Sequence, residues 1–136
     1  MKKIFVYRPE VKDADIDNLG HVNNEVYLRW LIEAAVAHSG FVGYTLEKFL
    51  EMQSAFVVRR HELDYLLPTF KKDRLRIETW TDPMDGSRAL RHYEIYNEEN
   101  QKLVLKGQTM WVFVNLQNGR PTKIPNEIIT AFANFE

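Results

Sequence analysis

Asp17-Asn18-Leu19-Gly20-His21-Val22-Asn23-Asn24 runs without a break into Glu25-Val26-Tyr27-Leu28-Arg29-Trp30-Leu31-Ile32-Glu33-Ala34-Ala35-Val36-Ala37-His38-Ser39. In the second part Tyr27, Trp30, Leu31, Ala34, Ala35 and His38 recur at three- and four-residue steps. That spacing predicts a helix from Asn23 or Asn24 to about Ser39, with Gly40 as its stop. Glu25, Arg29 and Glu33 form a single i,i+4 polar stripe, so most of the circumference is apolar and the helix should be buried.

The first part is a turn. Asp17-Asn18 suits an Asx turn, Gly20 readily takes a positive φ, and either asparagine can cap the helix. The same residues carry chemical potential. A helix start has unpaired backbone N–H groups and the positive end of the macrodipole. With a carboxylate, an imidazole and two carboxamides alongside, such a start can polarise a carbonyl oxygen and set a carboxylate beside its carbon.

Outward from this segment, residues 3–13 alternate loosely and predict a first strand. A short helix is expected around Thr45–Met52. Ala55–Leu66, Arg74–Asp82, Arg88–Asn97 and Lys102–Leu116 are rich in β-branched and aromatic residues and predict four strands in meander. Asp85-Gly86-Ser87, Asn97–Asn100 and Asn118-Gly119 punctuate them at hairpin spacing. Pro125-Asn126 opens a short terminal helix. The fold class is α+β: one domain, residues 1–136, with an antiparallel sheet wrapped around one long central helix. An exposed edge strand of that sheet invites pairing across a twofold axis.

Composition narrows the function. A net charge of −1 gives no basic surface for nucleic acid or anionic membrane. The absence of cysteine removes disulfides, thiolate nucleophiles and thiolate metal ligands. The apolar run after Lys2-Lys3 stops at Arg8-Pro9, too short for a signal peptide or membrane span, so a cytoplasmic protein is expected. No His, Asp and Glu spacing resembles a metal-ligand set.

From Asp15 to Glu33 the chain resembles hotdog-fold thioesterases. Asp15, Asp17, Gly20, Val22 and Tyr27 match the D-x-D-x-x-G-x-V-x-x-x-x-Y pattern of the 4-hydroxybenzoyl-CoA thioesterase family. His21-Val22-Asn23-Asn24 and Tyr27 are similar to the H-V-N-N-x-x-Y of acyl-acyl-carrier-protein thioesterases, with Glu33 matching a family glutamate by position. His61–Pro68 and Asp73–Thr79 resemble later strands of the same families. The resemblance implies the hotdog fold and hydrolysis of an acyl-CoA or acyl-carrier-protein thioester. It implies no cofactor beyond the coenzyme A or pantetheine of the substrate.

The resemblance places Asp17 on the catalytic aspartate, as nucleophile or as general base. A thiolate leaves readily, so one carboxylate can suffice. His21 and Asn23 form a second catalytic tier. The acyl-carrier-protein enzymes carry an asparagine two positions before the histidine, where this chain has Leu19, which puts the weight on Asp17. At Asn24 the resemblance puts the backbone N–H that binds the thioester carbonyl, with Gly20 allowing close approach and Tyr27 one turn beyond. Arg59, Arg60, Lys71, Lys72, Arg88 and Arg91 are candidates for the phosphates, Arg59 and Arg88 foremost. A homodimer or homotetramer is expected. Hydratases of this fold resemble D-x-N-P-x-H or H-F-P-G, and neither occurs here. The remaining alternative is a non-catalytic module that binds acyl groups or only dimerises.

Overall fold

The computed structural model describes residues 2–135. The elements are β1 (Phe5–Tyr7), a 3-10 turn (Asp13–Asp15), α1 (Asn24–Phe41), α2 (Leu46–Met52), β2 (Ser54–Tyr65), β3 (Leu75–Thr81), β4 (Arg88–Asn97), β5 (Leu103–Asn115) and α3 (Asn126–Ala133). All five strands pair antiparallel in one sheet, ordered β1-β3-β4-β5-β2. This is the hotdog arrangement that the resemblance implied.

Alternation decides which face of the sheet is covered. Ala89, Arg91, Tyr93 and Ile95 of β4 are buried, and the residues between them are partly open. Trp30, Leu31 and Ala34 of α1 pack with Leu75, Ile77, Tyr93, Ile95 and Leu105 of the sheet. A second cluster, Phe49, Ala89, Phe113, Ile124, Ile128 and Phe132, lies where α2 and α3 close the far end.

Four features differ from the sequence reading. The first strand is three residues, because Pro9 lacks an N–H and the chain then turns at Asp13–Asp15. The helix passes through Gly40, and it is Gly43, at φ +99°, that follows its end. The helix is also covered on one face only: Val36 and Phe41 are 63% and 58% exposed. Finally, only β3-β4-β5 is a meander; β2 crosses to pair with β5, from Ser54 beside Asn115 to Tyr65 beside Leu105. That leaves the other side of β2 as a long free edge, on which Val57 and Val58 are each 40% exposed.

Candidate active site

The turn before α1 is a miniature hairpin. The Asn23 N–H donates to the Asp15 carbonyl at 2.8 Å, and Ile16 bridges Val22. The Asp17 N–H donates to the His21 carbonyl at 2.8 Å, and Gly20, at φ +81°, donates back to the Asp17 carbonyl at 3.1 Å. The left-handed conformation at the tip is one that glycine adopts without a Cβ penalty. Val22 N–H then donates to the Thr69 carbonyl at 2.9 Å, tying the hairpin to the loop after β2.

The two aspartates have separate tasks. Asp15 is 2% exposed. Its Oδ1 accepts from Arg29 Nη2 at 2.8 Å and its Oδ2 from the Lys12 N–H at 2.9 Å. Burial works to raise its pKa, but these hydrogen bonds and the Arg29 charge outweigh it and hold the carboxyl below its ordinary value. Asp17 is half-buried, and its Oδ1 accepts from the N–H groups of Leu19 (2.9 Å) and His21 (3.2 Å). Its Oδ2 has no hydrogen-bond partner among the described residues. One oxygen thus fixes the carboxylate while the other stays available.

Asn23 caps the helix: its Oδ1 accepts from the Glu25 N–H at 3.2 Å. Its carboxamide oxygen is occupied in that cap. Asn24 is the first helical residue and is exposed. Its carbonyl accepts from the Tyr65 hydroxyl at 3.2 Å, and its N–H has no acceptor among the described residues. That is an oriented donor at the positive end of a helix. The half-buried His21 ring packs edge-on against Phe70. Tyr27 is 4% exposed, edge-on to both Trp30 and Tyr65, and belongs to the core. Burial raises its pKa.

A model described as the thioesterase-like superfamily matches residues 11–132. The chain belongs to that superfamily. It is 27% identical over 133 residues to the acyl-CoA thioesterase YbgC of Haemophilus influenzae, covering 97% of this chain and 96% of that protein. It is 21% identical over 126 residues to the chloroplastic acyl-acyl carrier protein thioesterase ATL3 of Arabidopsis thaliana, covering 93% of this chain. The chain spans 66% of the length of ATL3. In fold it is similar to Slr0204, a 1,4-dihydroxy-2-naphthoyl-CoA thioesterase from Synechocystis, with a TM-score of 0.90, 23% identity and 97% of both chains covered.

Within this superfamily member, Arg59 and Arg88 come together away from the hairpin. Both are exposed, and with Arg60 and Met110 they line a shallow groove of about 290 Å³ on the sheet face opposite α1. Arg59 is the bulged residue that breaks the β2–β5 register between Val58 and Arg60. Arg60 is held by Glu62 at 2.7 Å, whereas Arg59 and Arg88 have no carboxylate within 4 Å among the described residues. Lys71 pairs with Asp13. Arg91 is a correction: it is 4% exposed and points to the helix side, so it is not a surface phosphate contact. Three participants were missed from sequence: Thr69, Phe70 and Tyr65, which brace the hairpin and helix start from the other side. Tyr65 ends β2, and Thr69 and Phe70 lie in the loop after it, positions that carry no local signal. No cluster of three metal-ligating side chains occurs among the described residues, and no helix there is long and apolar enough to cross a membrane.

Proposed function

We propose that this protein hydrolyses acyl-CoA or acyl-acyl-carrier-protein thioesters in the cytoplasm, with Asp17 as the reacting carboxylate. The observation that carries this reading is the free Oδ2 of a carboxylate anchored through Oδ1, on the hairpin that leads into an open helix N-terminus. The thioester carbonyl oxygen accepts from the Asn24 N–H, where the backbone donor and the helix dipole stabilise the charge that develops on it. Asp17 either adds to the carbonyl carbon, with loss of thiolate to give an acyl–Asp17 anhydride that water then cleaves, or takes a proton from water that itself adds to that carbon. By either route the carbon–sulfur bond breaks, the thiolate leaves and the free acid is released with the Asp17 carboxylate restored. His21 and Asn23 position the water and the helix start. Arg59 and Arg88, the two unpaired cations of the groove, meet the phosphates of the coenzyme A or pantetheine arm.

The active assembly in this reading is at least a dimer, joined through the free edge of β2. A twofold axis there runs two β2 strands antiparallel, so the Tyr65 end of one, with its hairpin, lies beside the Ser54 end of the other. The site then draws on both subunits.

The names of the relatives support the reaction class. Thiol release from short, long, branched and aromatic acyl-CoA thioesters, and from acyl-carrier-protein thioesters, tests it. Turnover on at least one class is expected. Absence of turnover on every class, with the protein folded, overturns it in favour of an acyl-binding module.

A further inference from the structure

Between the second half of α1, α2, α3 and the sheet lies a cavity of about 200 Å³, lined mainly by apolar side chains that include Ala35, Phe49, Phe56 and Trp111. Its wall also contains Arg91. An arginine in that position is expensive, because a buried cation loses its hydration and needs a compensating anion. Arg91 has none: no carboxylate lies within 4 Å of it among the described residues. Its Nη1 donates to His38 Nδ1 at 2.9 Å and to Thr79 Oγ1 at 3.0 Å, both neutral acceptors. His38 is itself fully buried, and burial together with the Arg91 charge pushes its pKa down to about 3. The Phe132 ring at 5.8 Å completes the surroundings. A guanidinium has five N–H donors, so this shell leaves it short of acceptors and without a counter-charge.

We propose that the cavity binds a small molecule with an apolar body and a carboxylate, and that Arg91 supplies the counter-ion. Size sets the class. The cavity exceeds the ~150 Å³ that accommodates benzene in an engineered apolar site, so an aromatic monocarboxylate or a short acyl chain fits. Charge sets the head group: Arg91 is itself 4% exposed and set among apolar walls, so an anion that reaches its guanidinium gains more than it does from an arginine in solution. The cavity lies beside the last turns of α1, some eleven residues beyond Asn24, or roughly 16 Å along the helix. It is therefore separate from the Asp17 hairpin of the same subunit. The carboxylate has two sources: a free carboxylic acid, or the far end of an acyl group whose thioester is attacked by the Asp17 of a paired subunit. The binding claim does not rest on the thioesterase reading.

The test is titration of the full-length protein with benzoate and hexanoate against benzamide and hexanamide, followed by NMR at Ala35, Ala55 and Ala89. Each acid is expected to bind at least tenfold more tightly than its amide, with the shifts confined to these residues. In Arg91→Met that preference falls to twofold or less. Ala55→Phe fills the cavity without altering the cation and abolishes binding of all four probes, which keeps the test decisive if Arg91→Met does not fold. Equal affinity for acid and amide in the native protein, or shifts elsewhere, overturns the proposal. Turnover of a carboxy-ended acyl-CoA relative to its methyl-ended counterpart distinguishes the two sources. A preference lost in Arg91→Met assigns the carboxylate to the substrate; no preference, with acid binding intact, assigns it to a free acid.

Discussion

Arg29 in the second turn of α1 reaches back to Asp15 at 2.8 Å, so the helix holds the hairpin that precedes it. Asp15 is buried at this junction while Arg29 keeps a side-chain exposure of 49%. The bond therefore ties a fully covered carboxylate to a cation that still reaches water. Glu33, 3.6 Å from Arg29 and accepting from the Tyr7 hydroxyl at 3.2 Å, extends the link to β1. The frame of the site is ionic, and Asp17 is free of that duty.

Asp15→Asn should therefore be a stability variant. It removes the charge from a buried hydrogen-bonded acceptor and should cost about 1–3 kcal/mol, seen as a lower urea midpoint with an unchanged slope. Asp17→Asn should cost under about 1 kcal/mol, since its Oδ1 contacts are with backbone on a half-buried turn. Equal losses for the two variants would contradict the division of labour.

The pH dependence follows from His38. Burial, then the Arg91 charge, lowers its pKa from 6.5 in the unfolded chain to about 3. Between those values the unfolded chain binds a proton that the native protein refuses, so stability falls as pH drops below 6.5. The slope should approach about 1.4 kcal/mol per pH unit at its steepest. His61, also lowered by burial, adds in the same direction. His38→Asn, which can still accept from Arg91, should be less stable at pH 7 but show a shallower decline between pH 6.5 and 5. Parallel declines would remove His38 from the account.

Open edge strands solicit partners, and β2 exposes Val57 and Val58 along twelve residues. Sedimentation equilibrium should show no appreciable monomer at micromolar concentration. Val57→Lys with Val58→Lys should shift the protein toward monomer while leaving its circular dichroism intact. A native protein that sediments as an active monomer would contradict edge pairing.

The helix start can be tested through its backbone. Asn24→Ala changes only an exposed side chain and should retain most of the activity. Asn24→Pro deletes the N–H, yet proline is tolerated at the first helical position, so the fold should survive and turnover should fall by roughly 100-fold or more. Similar activity in two folded variants would place the carbonyl contact elsewhere.

What the sequence made legible was local. The helical spacing of Tyr27, Trp30, Leu31 and Ala34 and the Asx turn at Asp17 are written in neighbouring residues, and they form as read. The crossover of β2 is not local: turn residues mark where strands end, not which strand they meet, and β2 meets β5 some fifty residues later. Arg91 was misplaced for a related reason. Composition assigns arginine to the surface, but its register with Ala89, Tyr93 and Ile95 turns it inward. That alternation was available in the sequence. The choice of Asn23 as the cap needed backbone geometry, since either asparagine suits the position.

The most direct measurement is steady-state hydrolysis by Asp17→Asn beside the native protein, on the best thioester of the panel. The account predicts that kcat/KM falls by roughly two orders of magnitude or more, as for loss of a nucleophile or general base, with melting nearly unchanged. An Asn variant that melts normally and turns over at the native rate would contradict it.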